Sequence, residues 1–145
     1  MQITRAADYA VRVMIHLATL PTGTRVPLKV LANAIGVPEH FLAKLLQSLT
    51  RAEFMVSRRG PDGGFELTSS ARAATMLDVI QVIEGPLELN ACLGDTGCNR
   101  RTFCPANMVW KQAQEALVNV LGEPTIAELA AVSVRLRETA ELATV

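Results

Sequence analysis

Aromatic residues are scarce in this sequence, at 4% of its 145 residues, although 50% of the residues are hydrophobic. Alanine, leucine and valine are abundant instead, and this composition favours helices over β-sheets. The formal net charge is zero, so the overall charge gives no reason to expect attraction to nucleic acid. We therefore expect a mostly α-helical protein whose partners must be deduced from local patterns.

Long apolar segments are missing as well. The N-terminal residues lack the apolar core of a signal peptide, and no uninterrupted apolar run approaches membrane-spanning length. The three cysteines are an odd number, which argues against a closed disulfide framework. We expect a soluble, cytoplasmic protein with no membrane contact, in which thiols stay reduced.

Charge is divided unevenly along the chain. Residues 1–66 carry eight basic and five acidic side chains, and the remaining residues carry six basic and nine acidic ones. Surfaces that bind phosphate are basic. The asymmetry is small, but it favours the N-terminal half as the part that contacts nucleic acid.

The first half of the sequence predicts a helix-turn-helix. A broad apolar face indicates a helix over residues 5–20, and a short helix follows over Leu28–Ile35. Gly36 suits a left-handed helix end, and Pro38 and Glu39 open the next helix almost at once. The alternative is an ordinary helical hairpin within a core.

A β-hairpin is predicted directly after this helix pair. Residues 54–59 and 65–67 are typical of strands, and the glycines and proline of residues 60–64 supply the backbone angles of a tight turn. Arg58 and Arg59 lie beside that turn, so the hairpin suits a wing that enters a minor groove. The alternative is an exposed hairpin with two incidental arginines.

The second half predicts further helices around a polar loop. An apolar helix over residues 75–84 precedes a loop at about residues 88–105, and a longer amphipathic helix then runs to Gly122. A capping box from Thr125 to Glu128 begins the last helix.

The loop carries Cys92, Cys98 and Cys104 at C-x5-C-x5-C spacing. Nearby glycines, Gly94 and Gly97, allow the backbone to wrap around a centre, and two adjacent arginines could offset thiolate charge. Three thiolates suit an iron–sulfur cluster, which usually takes four soft ligands. Structural zinc more often uses closely paired cysteines. The remaining alternative is three unrelated small apolar residues.

With these features assembled, the sequence resembles the IscR/NsrR-type (Rrf2) family of iron–sulfur winged helix-turn-helix transcription regulators, over nearly its whole length. The matching segments are Met1–Thr4 with Asp8–Arg12, Gly36–Pro38 with Phe41, Leu42 and Leu45, the wing Arg59–Phe65, the three cysteines, and Trp110.

The resemblance implies a mostly α fold: a winged helix-turn-helix with a small β-hairpin wing and a long C-terminal dimerisation helix. It implies a DNA-binding domain over residues 1–70, whose first helix also contributes to the dimer, and dimerisation helices with the cysteine loop over residues 71–145. A homodimer would read a pseudo-palindromic site on double-stranded DNA.

The resemblance also suggests that residues 38–44 lie in the major groove while the wing reaches the adjacent minor groove. Phe41, Leu42 and Leu45 are expected in the core instead. Glu39 could accept a hydrogen bond from a cytosine amino group or simply favour the helix N-terminus. The expected DNA-binding residues are Pro38, Glu39, His40, Lys44, Ser57, Arg58, Arg59, Gly60 and Gly63.

The cofactor that the resemblance implies is a 4Fe–4S or 2Fe–2S cluster on the three cysteines. IscR-like members have a histidine three residues after the last cysteine, where this chain has Asn107, a poor iron ligand. Some NsrR-like members instead use an aspartate from the partner subunit, and Asp8 occupies the matching place. The alternative for Asp8 is a charge that interacts with the helix dipole.

The expected function is a transcriptional regulator, as a repressor, whose operator binding is switched by a cluster that senses nitric oxide, redox state or iron status. The alternatives are a cluster-free thiol-redox regulator of the same fold and a metal-binding helical adaptor that does not bind DNA. An enzyme is not expected, because the two histidines, His16 and His40, lie far from the cysteines in sequence and no nucleophile motif occurs.

Overall fold

Helices and one β-hairpin form the computed structural model, which describes residues 3–94 and 97–143. Met1 and Gln2 of the N-terminal motif and residues 95–96 of the cysteine loop lie outside the described residues. The elements are α1 (Arg5–Ala18), α2 (Leu28–Ile35), α3 (Glu39–Arg51), β1 (Met55–Arg58), β2 (Gly64–Leu67), α4 (Met76–Glu84), α5 (Pro105–Gly122) and α6 (Ile126–Leu142). Short 3-10 turns occur at Ser70–Arg72 and Ala91–Leu93. The predicted mostly α fold with a small hairpin is confirmed.

The helix-turn-helix begins and ends close to where the sequence signals lie. Gly36 ends α2 in the left-handed conformation, with φ of 77°, and its N–H donates to the carbonyl of Ala32 over 2.9 Å. Pro38 then takes the N-cap position of α3, just outside the helix rather than in its first turn. Helix α1 ends at Ala18, two residues before the predicted end at residue 20.

Arg72 holds the end of α1 in place. Its guanidinium donates from Nη1 to the carbonyl of Ala18 and from Nη2 to the carbonyl of Leu20, both over 2.8 Å. The last carbonyls of a helix lack partners within the helix and carry partial negative charge, so a cation is favourable there. Nothing in the local sequence pattern indicates this contact across more than fifty residues.

The β-hairpin has a neighbour that the sequence did not predict. Strand β1 pairs antiparallel with β2, and Arg58 lies opposite Gly64. On its other side, β2 exchanges two hydrogen bonds with Val26: the Val26 N–H donates to the Phe65 carbonyl over 3.0 Å, and the Phe65 N–H donates back over 2.9 Å. The base of the hairpin is therefore fixed to the segment between α1 and α2.

The core surrounds α1, which packs against α4, α6 and α3. Ala7, Ala10, Val13 and Met14 of α1 are fully buried. Helices α4 and α6 begin side by side, because the Met76 N–H donates to Pro124 over 3.2 Å and the Ile126 N–H donates to Ala74 over 2.8 Å. The predicted capping box of Thr125 and Glu128 is present at the start of α6.

Helix α5 starts earlier than the predicted apolar segment. It begins at Pro105, directly after Cys104 as the N-cap residue, so the cysteine loop leads into the helix without a linker. No residue of α5 is buried within the chain. Within residues 3–94 and 97–143, no helix is long and apolar enough to span a membrane.

Candidate nucleic-acid interface and cysteine loop

Helix α3 presents a row of exposed polar side chains along one face. His40 and Lys44 are separated by one helical turn, and Gln47 and Arg51 continue the row at the next two turns; all four are exposed. A row of this kind can reach base edges and phosphates when a helix lies in a major groove. His40 and Lys44 were expected on sequence grounds, whereas Gln47 and Arg51 were not.

The opposite face of α3 is apolar and holds the helix against the core. Leu42, Leu46 and Leu49 are fully buried and Leu45 is 5% exposed. The Phe41 ring packs edge-on against Tyr9 of α1, with ring centroids 5.8 Å apart and an interplanar angle of 84°. The expectation that Phe41, Leu42 and Leu45 serve the core agrees with this packing. The exposed row is thus presented by a helix that cannot rotate freely.

Pro38 and Glu39 stand exposed at the N-terminal end of this row. The Pro38 side chain makes no capping hydrogen bond, and the Glu39 carboxylate lies in the first turn, where the helix dipole favours negative charge. Both alternatives for Glu39, a base contact and a helix-terminal charge, are compatible with this position.

The hairpin presents its cations at and beside the turn. Ser57 and Arg58 are exposed on β1, and Arg59 and Gly60 are exposed in the turn that follows. Strand β1 contacts α3, so the wing and the reading helix belong to one packed unit. The tip is therefore an exposed, basic projection beside α3.

Gly60 and Gly63 shape the wing turn from within. The Gly63 N–H donates to the Gly60 carbonyl over 2.9 Å, and Gly60 has a φ of 110°, which favours glycine. A Cβ on Gly63 would lie 2.5 Å from the Arg58 carbonyl oxygen. These two predicted DNA-binding residues therefore have a structural role in the turn in addition to any contact with DNA.

The cations of this surface are not neutralised by the protein. Among residues 3–94 and 97–143, neither Lys44, Arg51, Arg58 nor Arg59 forms an ion pair. By contrast, Arg25 at the base of the hairpin binds Glu66, with Nε and Oε2 3.2 Å apart. Exposed lysine and arginine side chains without carboxylate partners are suited to neutralising phosphates.

The three cysteines occupy different surroundings. Cys92 lies half-buried in the 3-10 turn, and its Sγ accepts a hydrogen bond from Asn107 Nδ2 over 3.4 Å. Cys98 is exposed, whereas Cys104 is half-buried at the N-cap position of α5, where its side chain makes no capping hydrogen bond. All three are free thiols.

The two loop glycines differ in backbone conformation. Gly97 is left-handed, with φ of 63°, as expected for a residue that lets the backbone turn. Gly94 has an ordinary φ of −90°. A Cβ there would overlap only the end of the Glu88 side chain, which can move aside, so the position does not require glycine.

Asp8 lies in the first turn of α1 and already has a partner. Its Oδ2 is 2.9 Å from Arg12 Nη2, and its Oδ1 accepts a second bond from Arg12 Nε over 3.2 Å. Asp8 also lines a cavity of about 280 Å³ whose other walls are Ile3 and apolar side chains of α1 and α4. The aspartate is accessible, but it is held by a two-point ion pair.

The chain by itself does not gather the predicted ligands. No group of three or more His, Cys, Asp or Glu side chains within the described part of the chain could hold a metal ion. The chemistry of the donors fits an iron–sulfur cluster, since soft thiolates are its usual ligands. The geometry of the loop would have to change for all three sulfurs to bind one cluster.

Burial and local hydrogen bonds shift the pKa values of His16 and Glu128. Partial burial, with a smaller contribution from the Arg137 charge, lowers the pKa of His16 below 6.5. Hydrogen bonds from the backbone and hydroxyl of Thr125 lower the pKa of the Glu128 carboxyl. Both shifts lie outside the basic surface and the cysteine loop.

Known proteins match this chain over most of its length. The Rrf2 family, described as iron-dependent transcriptional regulators, matches residues 3–132. A Mycobacterium tuberculosis protein named as an HTH-type transcriptional regulator is 36% identical over 132 residues, which cover 90% of this chain and 81% of that protein.

Solved structures show the same fold. CymR, the global cysteine regulator of Bacillus subtilis, superposes with a TM-score of 0.75 at 30% identity, covering 91% of this chain and 98% of CymR. IscR of T. potens superposes with a TM-score of 0.73 at 26% identity, covering 92% of this chain and 88% of IscR. The chain therefore belongs to the Rrf2 family and is a DNA-binding transcriptional regulator rather than an enzyme.

Proposed function

We propose that this regulator reads a pseudo-palindromic operator as a homodimer, with α3 in the major groove and the wing in the adjacent minor groove. The observation that carries the proposal is the unpaired basic surface: exposed His40 and Lys44 on α3, and Arg58 and Arg59 at the wing. Lysine and arginine at phosphates provide affinity, and side chains at base edges provide sequence preference. Ser57, Gly60 and Gly63 are proposed as further DNA contacts of the wing, and the two glycines also shape its turn.

Gln47 and Arg51 extend this proposed reading surface. Glutamine can bind adenine through two hydrogen bonds, and arginine can bind guanine in the same manner. In α3, Gln47 is better placed for a base than Arg51, because the N-terminal part of a recognition helix usually enters the groove.

Helix α5 supplies the dimer contact in this proposal. Met108, Val109 and Trp110 are 69%, 64% and 42% exposed, and Val120 on the same helix is 65% exposed. Exposed apolar side chains grouped on one helix are typical of a subunit interface. Two-fold packing of α5 against its copy would give the dimer two symmetry-related α3 helices, as a pseudo-palindromic site requires.

The cysteine loop is the proposed sensor. Cys92, Cys98 and Cys104 would hold a 4Fe–4S or 2Fe–2S cluster, with Asp8 of the partner subunit as the fourth ligand and Asn107 excluded as a ligand. When bound, the cluster supplies a centre that reacts with oxidants or nitric oxide. The chain's part is structural: the Cys92 sulfur can keep its hydrogen bond from Asn107 while it binds iron, whereas Asp8 must free at least one carboxylate oxygen from Arg12.

Cys104 connects this loop to the dimer, because it lies at the N-cap position of the helix that forms the proposed interface. A rearranged loop would therefore change the start of α5. A ligand shifts an equilibrium between two arrangements only if it binds one of them better. We propose that cluster status selects the spacing of the two α3 helices in this way, in a cytoplasmic repressor that responds to redox state, nitric oxide or iron supply.

DNA binding is tested by fluorescence anisotropy with the DNA upstream of its own gene. Arg59→Ala should weaken binding and lower the slope of log affinity against log salt by about one, because one phosphate contact is lost. Arg135→Ala, on an exposed position of α6, is the matched control and should leave the slope unchanged. An unchanged slope in Arg59→Ala would contradict the wing contact.

Cluster sensing is tested by anaerobic reconstitution with iron and sulfide. The parent protein should show a visible absorption band and an altered operator affinity, and Cys98→Ala should show neither change. If Cys98→Ala reconstitutes and regulates like the parent, the cysteine loop is not the sensor. Asp8→Ala should still show the visible absorption band, because the three cysteines remain, but its cluster should be less stable.

A cluster-free thiol-redox regulator is the second candidate. The chain has three free thiols on one loop, and it resembles a regulator known as the global cysteine regulator. Iron and sulfide analysis of anaerobically purified protein separates the two candidates. Metal-free protein whose DNA affinity changes with thiol oxidation would favour the second one.

A further inference from the structure

A groove lies between α6 on one side and α1 and α2 on the other, away from the cysteine loop. Its volume is about 570 Å³, within the range of about 300–1,000 Å³ that is usual for small-molecule sites. Ile15 of α1, Ile35 of α2 and Leu129 of α6 form apolar walls, and Leu136 lies at the rim. The groove can therefore accept an apolar group of moderate size.

Cationic groups line both walls of this groove, two on α1 and one on α6. His16, Arg12 and Arg137 line it, whereas no carboxylate does so among the described residues. Arg12 is neutralised by Asp8, but Arg137 forms no ion pair within the part of the chain that the structure describes. Partial burial and, to a smaller extent, the Arg137 charge lower the pKa of His16, so the imidazole is a half-buried group beside a positive charge.

We propose that this groove binds a small amphipathic carboxylate, with its apolar part between α1, α2 and α6 and its carboxylate against Arg137 and His16. Arginine binds carboxylates through two parallel hydrogen bonds. The Ser133 hydroxyl on the same wall is a further donor. An uncharged ligand would leave the Arg137 charge unmatched, whereas a larger polar anion would not use the apolar walls.

The main dimer contact proposed above lies outside this groove, although α1, one of its walls, is expected to contribute to the dimer as well. The large apolar side chains grouped on α5 are the surface that favours self-association, and α5 contributes no residue to the groove. The ligand proposal does not rest on the proposed reading of DNA, and binding can be measured without an operator. Because α2 is the first helix of the helix-turn-helix, however, an occupied groove lies directly against the reading unit.

The test uses decanoate and decanol as probes in calorimetric titrations of the full chain. Decanoate should bind, and decanol should bind at least about tenfold more weakly, because only the carboxylate accepts charge-assisted hydrogen bonds from Arg137. Arg137→Gln should weaken decanoate binding about tenfold. Arg135→Gln on the same helix, outside the groove, is the matched control and should bind like the parent.

Two further measurements make the outcome decisive. Decanoate should raise the pKa of His16 in an NMR titration, because a nearby anion favours the imidazolium. Ala34→Phe, which fills the groove, should abolish decanoate binding while helicity and dimerisation stay unchanged. The proposal is overturned if decanol binds as well as decanoate, if neither probe binds, or if both arginine variants lose affinity equally. It is also overturned if Ala34→Phe disrupts the dimer, since the groove would then be a subunit contact.

Discussion

Replacement of Gly64 by alanine should displace the wing, and the size of the effect follows from its surroundings. A Cβ on Gly64 would lie 2.7 Å from both the carbonyl carbon and oxygen of Val26, and 3.0 Å from the nitrogen of Pro27. These are backbone atoms, so no side-chain rotation can relieve the overlap. Gly64 also has a φ of 155°, which L-residues adopt at a cost.

Relief of this overlap requires the segment at Val26 to separate from β2. The two hydrogen bonds between Val26 and Phe65 would then be lost or lengthened. Each contributes about 0.5–1.5 kcal/mol, and backbone strain adds about 1–3 kcal/mol. We expect Gly64→Ala to lower the free energy of unfolding by about 2–6 kcal/mol.

Urea denaturation followed by circular dichroism measures this loss, and operator titration measures its effect on the wing. Gly60→Ala is the matched control: Gly60 also has positive φ, but nothing lies within 4 Å of its Cβ position. The free energy of unfolding of this control should therefore fall by only about 1 kcal/mol, the cost of the backbone conformation. If Gly64→Ala is as stable as Gly60→Ala, the contact with Val26 does not fix the wing.

Further predictions concern α1, α6 and α5. Arg72→Met should lower the free energy of unfolding by about 2–4 kcal/mol, because two charged hydrogen bonds to the end of α1 are lost. Urea denaturation measures this loss, and the control Arg135→Met should have nearly the stability of the parent. Because the Glu128 carboxyl has a lower pKa in the folded state than its unfolded value of 4.5, it stabilises the fold at pH values above 4.5. This contribution is lost as the pH falls through the pKa of the folded state. Glu128→Gln should therefore show a flatter fall of stability below pH 4.5, and parallel acid profiles would exclude a role of the capping box. Val109→Glu should weaken the dimer in sedimentation velocity by at least tenfold, because it places a charge in the proposed apolar contact. Lys111→Glu on the same helix should change dimerisation much less, and equal effects would place the interface elsewhere.

Local signals in the sequence determined the helix-turn-helix and the wing. Apolar spacing predicted α2 and α3, and Gly36 predicted where α2 ends, because only a residue without Cβ adopts that conformation cheaply. The turn glycines predicted the hairpin, and the Thr125–Glu128 box predicted the start of α6. These features depend on residues a few positions apart, so periodicity and backbone preference suffice to find them.

Contacts between distant segments were decided only by the tertiary structure. Val26 beside β2 and Arg72 at the end of α1 join residues that no periodic pattern connects. Gln47 and Arg51 could have been found by extending the row from Lys44 by helical turns. The sequence alone, however, does not show which polar residues of α3 remain exposed in the fold. The cysteine spacing likewise indicated a shared centre, whereas the described fold leaves those thiols in separate surroundings. The sequence determines which metal-binding side chains are present and how far apart they are along the chain. Burial, charge and packing across the whole fold determine where each of those side chains lies.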